Sequence, residues 1–212
     1  MKVLLLGALV ALAPLTLLTS GTTVAVAATA SSSKSAEEWA QKNLEGWPPK
    51  TIALAVELIK KYGPPNESTA RQITWYHNGP WKRTILFKEG APHNFPKPHV
   101  DVLEQTVDYR VPLDKVADLL KYDGSLVIDR TRGELSAHCD SEQQNTITLN
   151  IANDIVKGDR DVEQALAYHA QIIVGIRDHE PETYPQKLRF KEPASPSAEP
   201  GDEAPLLVHL GD

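Results

Sequence analysis

The chain has 212 residues, 22 basic and 28 acidic, for a net charge of −6. That balance offers no positive field to hold phosphates along a groove, so nucleic acid is not an expected partner. A single cysteine, Cys139, permits no internal disulfide, and packing alone must hold the fold.

Met1-Lys2 precedes an apolar run from Val3 to Leu18, followed by small residues up to Ala30. A short basic start, an apolar middle and an Ala-x-Ala end form the pattern of a secretory signal peptide. Ala28-Thr29-Ala30 is the preferred cleavage site, with Ala25-Val26-Ala27 the alternative. Pro14 interrupts the apolar run, which is short for a membrane span of about 20 residues. The expectation is an exported protein, periplasmic or extracellular, with no membrane span after cleavage. Residues 1–30 hold one lysine and no acid, so their loss leaves −7; residues 191–212 hold one lysine and five acids, so the body from 31 to 190 is near −3.

Residues 31–35 read as a linker. Ser35 and Glu38 fit a capping box opening a helix from Ala36 to Glu45. A second helix follows Pro49, with Ile52, Ala55, Val56, Ile59 and Tyr62 at helical spacing and Gly63 as its cap. Ile73, Trp75 and His77 alternate as a strand. Asn78-Gly79 favours a hairpin turn, and Trp81 to Phe87 is the partner strand. Residues 89–99 hold Pro92, Pro96 and Pro98 and read as a stiff loop outside any ladder. Val102 to Val111 alternates as a strand with one wet face. Pro112 opens a helix with a stripe of Leu113, Val116, Ala117 and Leu120. Leu126 to Asp129 and Glu134 to Cys139 form a second hairpin. Helices follow over Ser141–Lys157 and about Asp161–Asp178, the latter with His169 on its apolar face. Beyond Lys191 proline, alanine, serine and glutamate dominate, a composition that builds no core.

The order of elements predicts an α+β fold: an antiparallel sheet of about five strands with helices packed on one face. One domain is expected over 36–185, with a disordered acidic tail over 186–212. A division at the proline-rich loop, into lobes 36–90 and 100–180, is the alternative.

The chain lacks GxSxG, HExxH, CxxC, P-loop and GxGxxG signatures, so no catalytic residue and no cofactor is assigned. The richest stretch is Arg71 to Val111. Trp75, Trp81, Phe95 and Tyr109, with Arg83 at a basic rim, are the candidate ligand-binding residues, because such rings offer large contact area with polar tips. The other reading places the tryptophans in the core. Metal candidates are His77, His93, His99 and His138, with Asp101 or Asp140 as carboxylates; His93 and His99, six apart in a loop, fit no compact ligand spacing. Cys139 shares a strand face with Leu135 and Ala137 and reads as a buried, inert thiol. His169 reads as a hydrogen-bonded core histidine.

The segments GWPP, KYGPP, GPWKR, HNFPKPH, YRVP and HCD resemble a set of secreted bacterial proteins with no assigned activity. The likeness spans most of residues 45–175 and implies export and a single domain, but no chemistry. The function expected is an exported domain that binds a protein or small-molecule ligand through the aromatic, proline-rich region. The alternatives are a metal- or cysteine-dependent hydrolase using His93, His99, His138 and Cys139, and a structural envelope component.

Overall fold

Opposite residues of an antiparallel pair share a face, and so do alternate residues of one strand. In the computed structural model, which describes residues 34–178 and 187–191, this rule assigns the fully buried apolar strand residues to one side of a single sheet. The expected signal peptide and most of the expected tail lie outside the described residues.

The sheet has six antiparallel strands: β1 Glu67–Ser68, β2 Gln72–Asn78, β3 Trp81–His93, β4 His99–Asp108, β5 Leu126–Asp129 and β6 Glu134–Cys139. They lie in the order β1-β2-β3-β4-β6-β5. Five helices accompany them among the described residues: α1 (34–43), α2 Pro49–Tyr62, α3 Val116–Tyr122, α4 Glu142–Lys157 and α5 Val162–Arg177. The fold is α+β, as expected. One continuous sheet crosses the stretch where a division into lobes was the alternative. No described helix is long and apolar enough to cross a membrane.

Register explains the one-sided packing. Ile73 pairs with Leu86, Leu86 with Leu103, and Leu103 with Cys139. Gln105 and Val107 continue that face of β4, opposite Ala137 and Leu135 of β6. Helices α1 and α2 pack on Ile73, Trp75, Leu86 and Leu103, while α3, α4 and α5 pack on Trp81, Val107, Leu135 and Ala137. Helix α4 is buried on nearly every side from Gln144 to Ile155. Its Asn145 donates to the Leu103 carbonyl at 3.0 Å and to Gln105 Oε1 at 3.2 Å, fastening helix to sheet. Glu142 joins the two helix groups. It accepts from Trp81 Nε1 at 2.8 Å, Tyr62 OH at 2.5 Å and Lys61 Nζ at 2.9 Å.

Several expectations need correction. Proline-bearing residues 90–93 do join a ladder: Ala91 pairs with Asp101, Pro92 with Val100 and His93 with His99, after a register shift beyond Leu86. The β2 pairing of β3 ends at Phe87, so Pro92 lies where β3 has no outer strand to bond, and its missing N–H is tolerated. The stripe of α3 is also displaced. Its first turn is a 3₁₀ segment, Leu113–Lys115, so the buried residues are Leu119 and Tyr122, while Leu113 and Leu120 face solvent. Helix α1 already includes residue 34, so Ser35 is not its N-cap. Residues 187–191 are docked on the body and are not part of a loose tail. Asn150 bonds both the Lys187 carbonyl and the Arg189 N–H, Arg189 reaches Asp154 at 2.7 Å, and Phe190 meets Tyr109 edge-on.

Trp81 is 1% exposed, within the larger core. Trp81→Ala should lower unfolding free energy by about 3–5 kcal/mol. A urea midpoint unchanged from the parent would mean the ring packs against nothing that matters.

Candidate metal centre

The site follows from the β3–β4 hairpin. A tight link over 94–98 returns the chain so that His93 and His99 face each other across the ladder. Six positions apart in sequence, they are cross-strand partners in space. His99 and Asp101, being alternate residues, share the helix-covered face with Leu103, and Cys139 lies opposite Leu103 on β6. The turn after α3 brings Asp123 and Ser125 to the same end of the sheet; the Ser125 N–H donates to Asp123 Oδ1 at 2.8 Å. Gly90 allows the hairpin to close. A Cβ there would overlap the Asp101 carbonyl oxygen and stand 2.8 Å from Val100 Cγ1.

Among the described residues, His93, His99 and Asp101 form one cluster in which an atom from each can act as ligand, all within 4.8 Å of one another. His93 Nδ1 is 3.3 Å from Asp101 Oδ2, and His99 Nε2 is 2.8 Å from Asp101 Oδ1. A tetrahedral shell with bonds of 2.0–2.1 Å separates its ligand atoms by about 3.3 Å, so the three groups are already near that spacing.

His99 Nδ1 lies 2.7 Å from the Lys97 carbonyl, which can only accept, so Nδ1 carries a hydrogen. Its Nε2 faces Asp101 Oδ1. The approach lacks hydrogen-bond alignment, and Oδ1 is buried without a donor. His99 Nε2, Asp101 Oδ1 and Cys139 Sγ thus converge on one enclosed space. An imidazole fixed by a backbone carbonyl at its far nitrogen is the usual support for a metal ligand. Ser125 Oγ donates to the other oxygen, Asp101 Oδ2, and touches His93 Nδ1 at 3.2 Å.

Two carboxylates are buried here, Asp101 and Asp123 at 6% and 4% exposure. Burial raises Asp123 above the usual carboxylate range; the Ser125 N–H and His93 oppose the rise, and Asp101 adds to it. Burial, with Asp140, Asp101 and Asp123, also pushes the Cys139 thiol well up. The thiol is therefore protonated and a donor at 3.2 Å from His99 Nε2, in agreement with the buried, unreactive cysteine expected. Close concentration of buried acids without a matching cation is unfavourable, and a divalent ion relieves it.

The other candidates lie elsewhere. His77 is near the end of β2, exposed, with φ of 51°. His138 points to the open face of the sheet, 3.1 Å from Glu104. Burial alone would raise Glu104, but His138 and Arg83 outweigh it and hold it below the usual range. Asp140 touches Cys139 at 3.8 Å and stands outside the cluster. His169 is fully buried, its Nδ1 2.9 Å from the Tyr122 hydroxyl, and burial lowers it to about 4.

The aromatic candidates do not line a common groove. Trp75 is buried under α2 and donates to the Gly63 carbonyl at 2.9 Å; Trp81 belongs to the other core. Arg83 lies on the open face, bonded to Thr106 and Glu134. Tyr109 reaches Asn153 at 3.0 Å. Phe95 alone borders the histidines, 6.4 Å from the His93 ring and edge-on to His169 at 5.1 Å. The Trp–Phe–Tyr groove anticipated from sequence is thus divided between two packed interiors. Asp101 was already a sequence candidate; the signal missed was the hairpin register, which sets it two residues from His99 on β4 and near His93 on β3, together with Ser125, which only the α3–β5 turn brings near.

Comparison with known protein families, with curated proteins and with solved structures found no match.

Ser125→Ala removes the donor to Asp101 without touching a ligand atom. Its zinc affinity should fall about 10–100-fold, measured by competition with a chromophoric chelator. An unchanged affinity would show that this hydroxyl does not orient Asp101.

Proposed function

We propose that this is an exported metal-binding protein whose centre is a zinc-type divalent ion held by His93, His99 and Asp101. The observation that carries the reading is the convergence of His93, His99 and Asp101, whose ligand atoms lie within 4.8 Å of one another, with Asp101 Oδ1 buried and without a hydrogen-bond donor. Two imidazoles and one carboxylate suit zinc better than calcium or magnesium, which prefer oxygen shells. Three protein ligands leave a fourth position for water or substrate, the arrangement of catalytic rather than structural zinc. Metal-assisted hydrolysis is therefore the chemistry favoured: an ion held by these three residues would supply Lewis-acid polarisation of a carbonyl or phosphoryl oxygen and would acidify a bound water. In that scheme Ser125 holds Asp101, the Lys97 carbonyl holds His99, and Asp123, 3.9 Å from His93 Nε2, steadies the second imidazole. Export is supported by the pattern of residues 1–30.

Elemental analysis of the purified chain after zinc loading and dialysis tests the reading. About one zinc per chain is expected, falling below about a tenth of that in His93→Ala, His99→Ala and Asp101→Ala, because ligand loss removes most of the binding free energy. His77→Ala and His138→Ala should keep the ion, and circular dichroism checks that each variant folds. No stoichiometric zinc, or full zinc in His99→Ala, contradicts the reading.

A further inference from the structure

A cavity of about 710 Å³ lies beside the histidine cluster, between the start of α2 and the β3–β4 hairpin, with His99 in its wall. Three lysines line it: Lys50 from the first turn of α2, Lys88 from β3 and Lys97 from the hairpin link. The chain's net charge is −6, and several cations elsewhere are matched to acids; Lys61, Lys82 and Arg83 all pair at 3.1 Å or less. None of the three cavity lysines forms an ion pair with a described residue.

The same wall holds Thr51, which is 3% exposed and brings a hydroxyl-bearing side chain to the cavity. Thr51 belongs to the first turn of α2. No side chain caps that helix at Pro48, and its first turn has no acid. The helix therefore adds a positive end to the positive side chains. Two acids also reach the walls. Glu89 is shared with Arg71 at 3.8 Å, and Asp140 lies behind, against Cys139. The remaining surface is apolar, with Leu54 and Val102 opposite the lysines.

We infer that this cavity binds a small organic anion, a compact oxyanion head of phosphate or carboxylate type on an apolar body. Lys88 and Lys97 grip the head from the hairpin, Lys50 and the Thr51 hydroxyl from α2, and Leu54 and Val102 cover the body. Volume and lining match a site for a small ligand: mostly apolar, with a few convergent polar groups. The inference does not depend on the metal centre, because no lysine or threonine side chain named here belongs to it; Lys97 meets His99 only through its backbone carbonyl.

Isothermal titration of the full chain with phenyl phosphate, benzoate and inorganic phosphate tests it. Saturable one-to-one binding of phenyl phosphate or benzoate is expected, tighter than that of inorganic phosphate; which of the two binds identifies the head. The Lys88→Ala/Lys97→Ala double variant should weaken binding at least about tenfold, since each charged hydrogen bond is worth more than a neutral one. If that variant does not fold, the exposed single change Lys97→Ala and the cavity-filling Leu54→Trp should each weaken binding in chains shown by circular dichroism to be folded. Stripping metal with EDTA should leave binding in place, whatever the fate of the zinc experiment. Absence of saturable binding by both organic probes, affinity unchanged in the folded lysine variants, or binding that vanishes with EDTA would overturn the inference.

Discussion

Where β3 passes β4 beyond its bulge, the Gly90 backbone and the Asp101 carbonyl occupy space that any side chain would need. The contact lets the hairpin close to its tip, with His93 opposite His99 and Asp101 two residues on. Everything at the candidate centre descends from that closure. A larger residue at 90 forces the two strands apart at the position from which Asp101 projects, and the cluster loses its carboxylate.

The polar interior at this end of the sheet differs from that at the other. Glu142 is only partly buried and fully engaged, by a tyrosine, a tryptophan and a lysine, and it binds helices together. Asp101 has one oxygen held by Ser125, while the other lies 2.8 Å from His99 Nε2 without an aligned donor. Proteins satisfy nearly all buried polar atoms, so an exception beside two imidazoles calls for a further occupant. The lysine-lined cavity stands on the outer side of His99, which would serve as wall to one site and ligand in the other.

Helix periodicity and turn chemistry were legible because they are local. Asp161 and Gln164 cap α5, Ser141 caps α4, Gly158 takes the left-handed position after α4, and each stands where the residue type demands. The fold class followed from element order. The site was illegible for reasons that are not local. Three prolines argued against a strand, yet a proline disturbs a ladder only where its N–H is needed, and Pro92 sits at an unpaired stretch of edge. With the strand missed, the six-residue gap from His93 to His99 conveyed nothing; across a hairpin it means direct opposition. Trp75 and Trp81 illustrate the converse limit. A tryptophan's sequence position cannot say whether its ring fills a core or lines a groove, and both rings here fill cores while their N–H groups find acceptors.

X-ray absorption at the zinc edge of the loaded protein tests the convergence of His93, His99 and Asp101 most directly. The account predicts a low-coordinate shell of nitrogen and oxygen at about 2.0–2.1 Å with the outer-shell scattering of two imidazoles. A six-oxygen shell without imidazole scattering would contradict it.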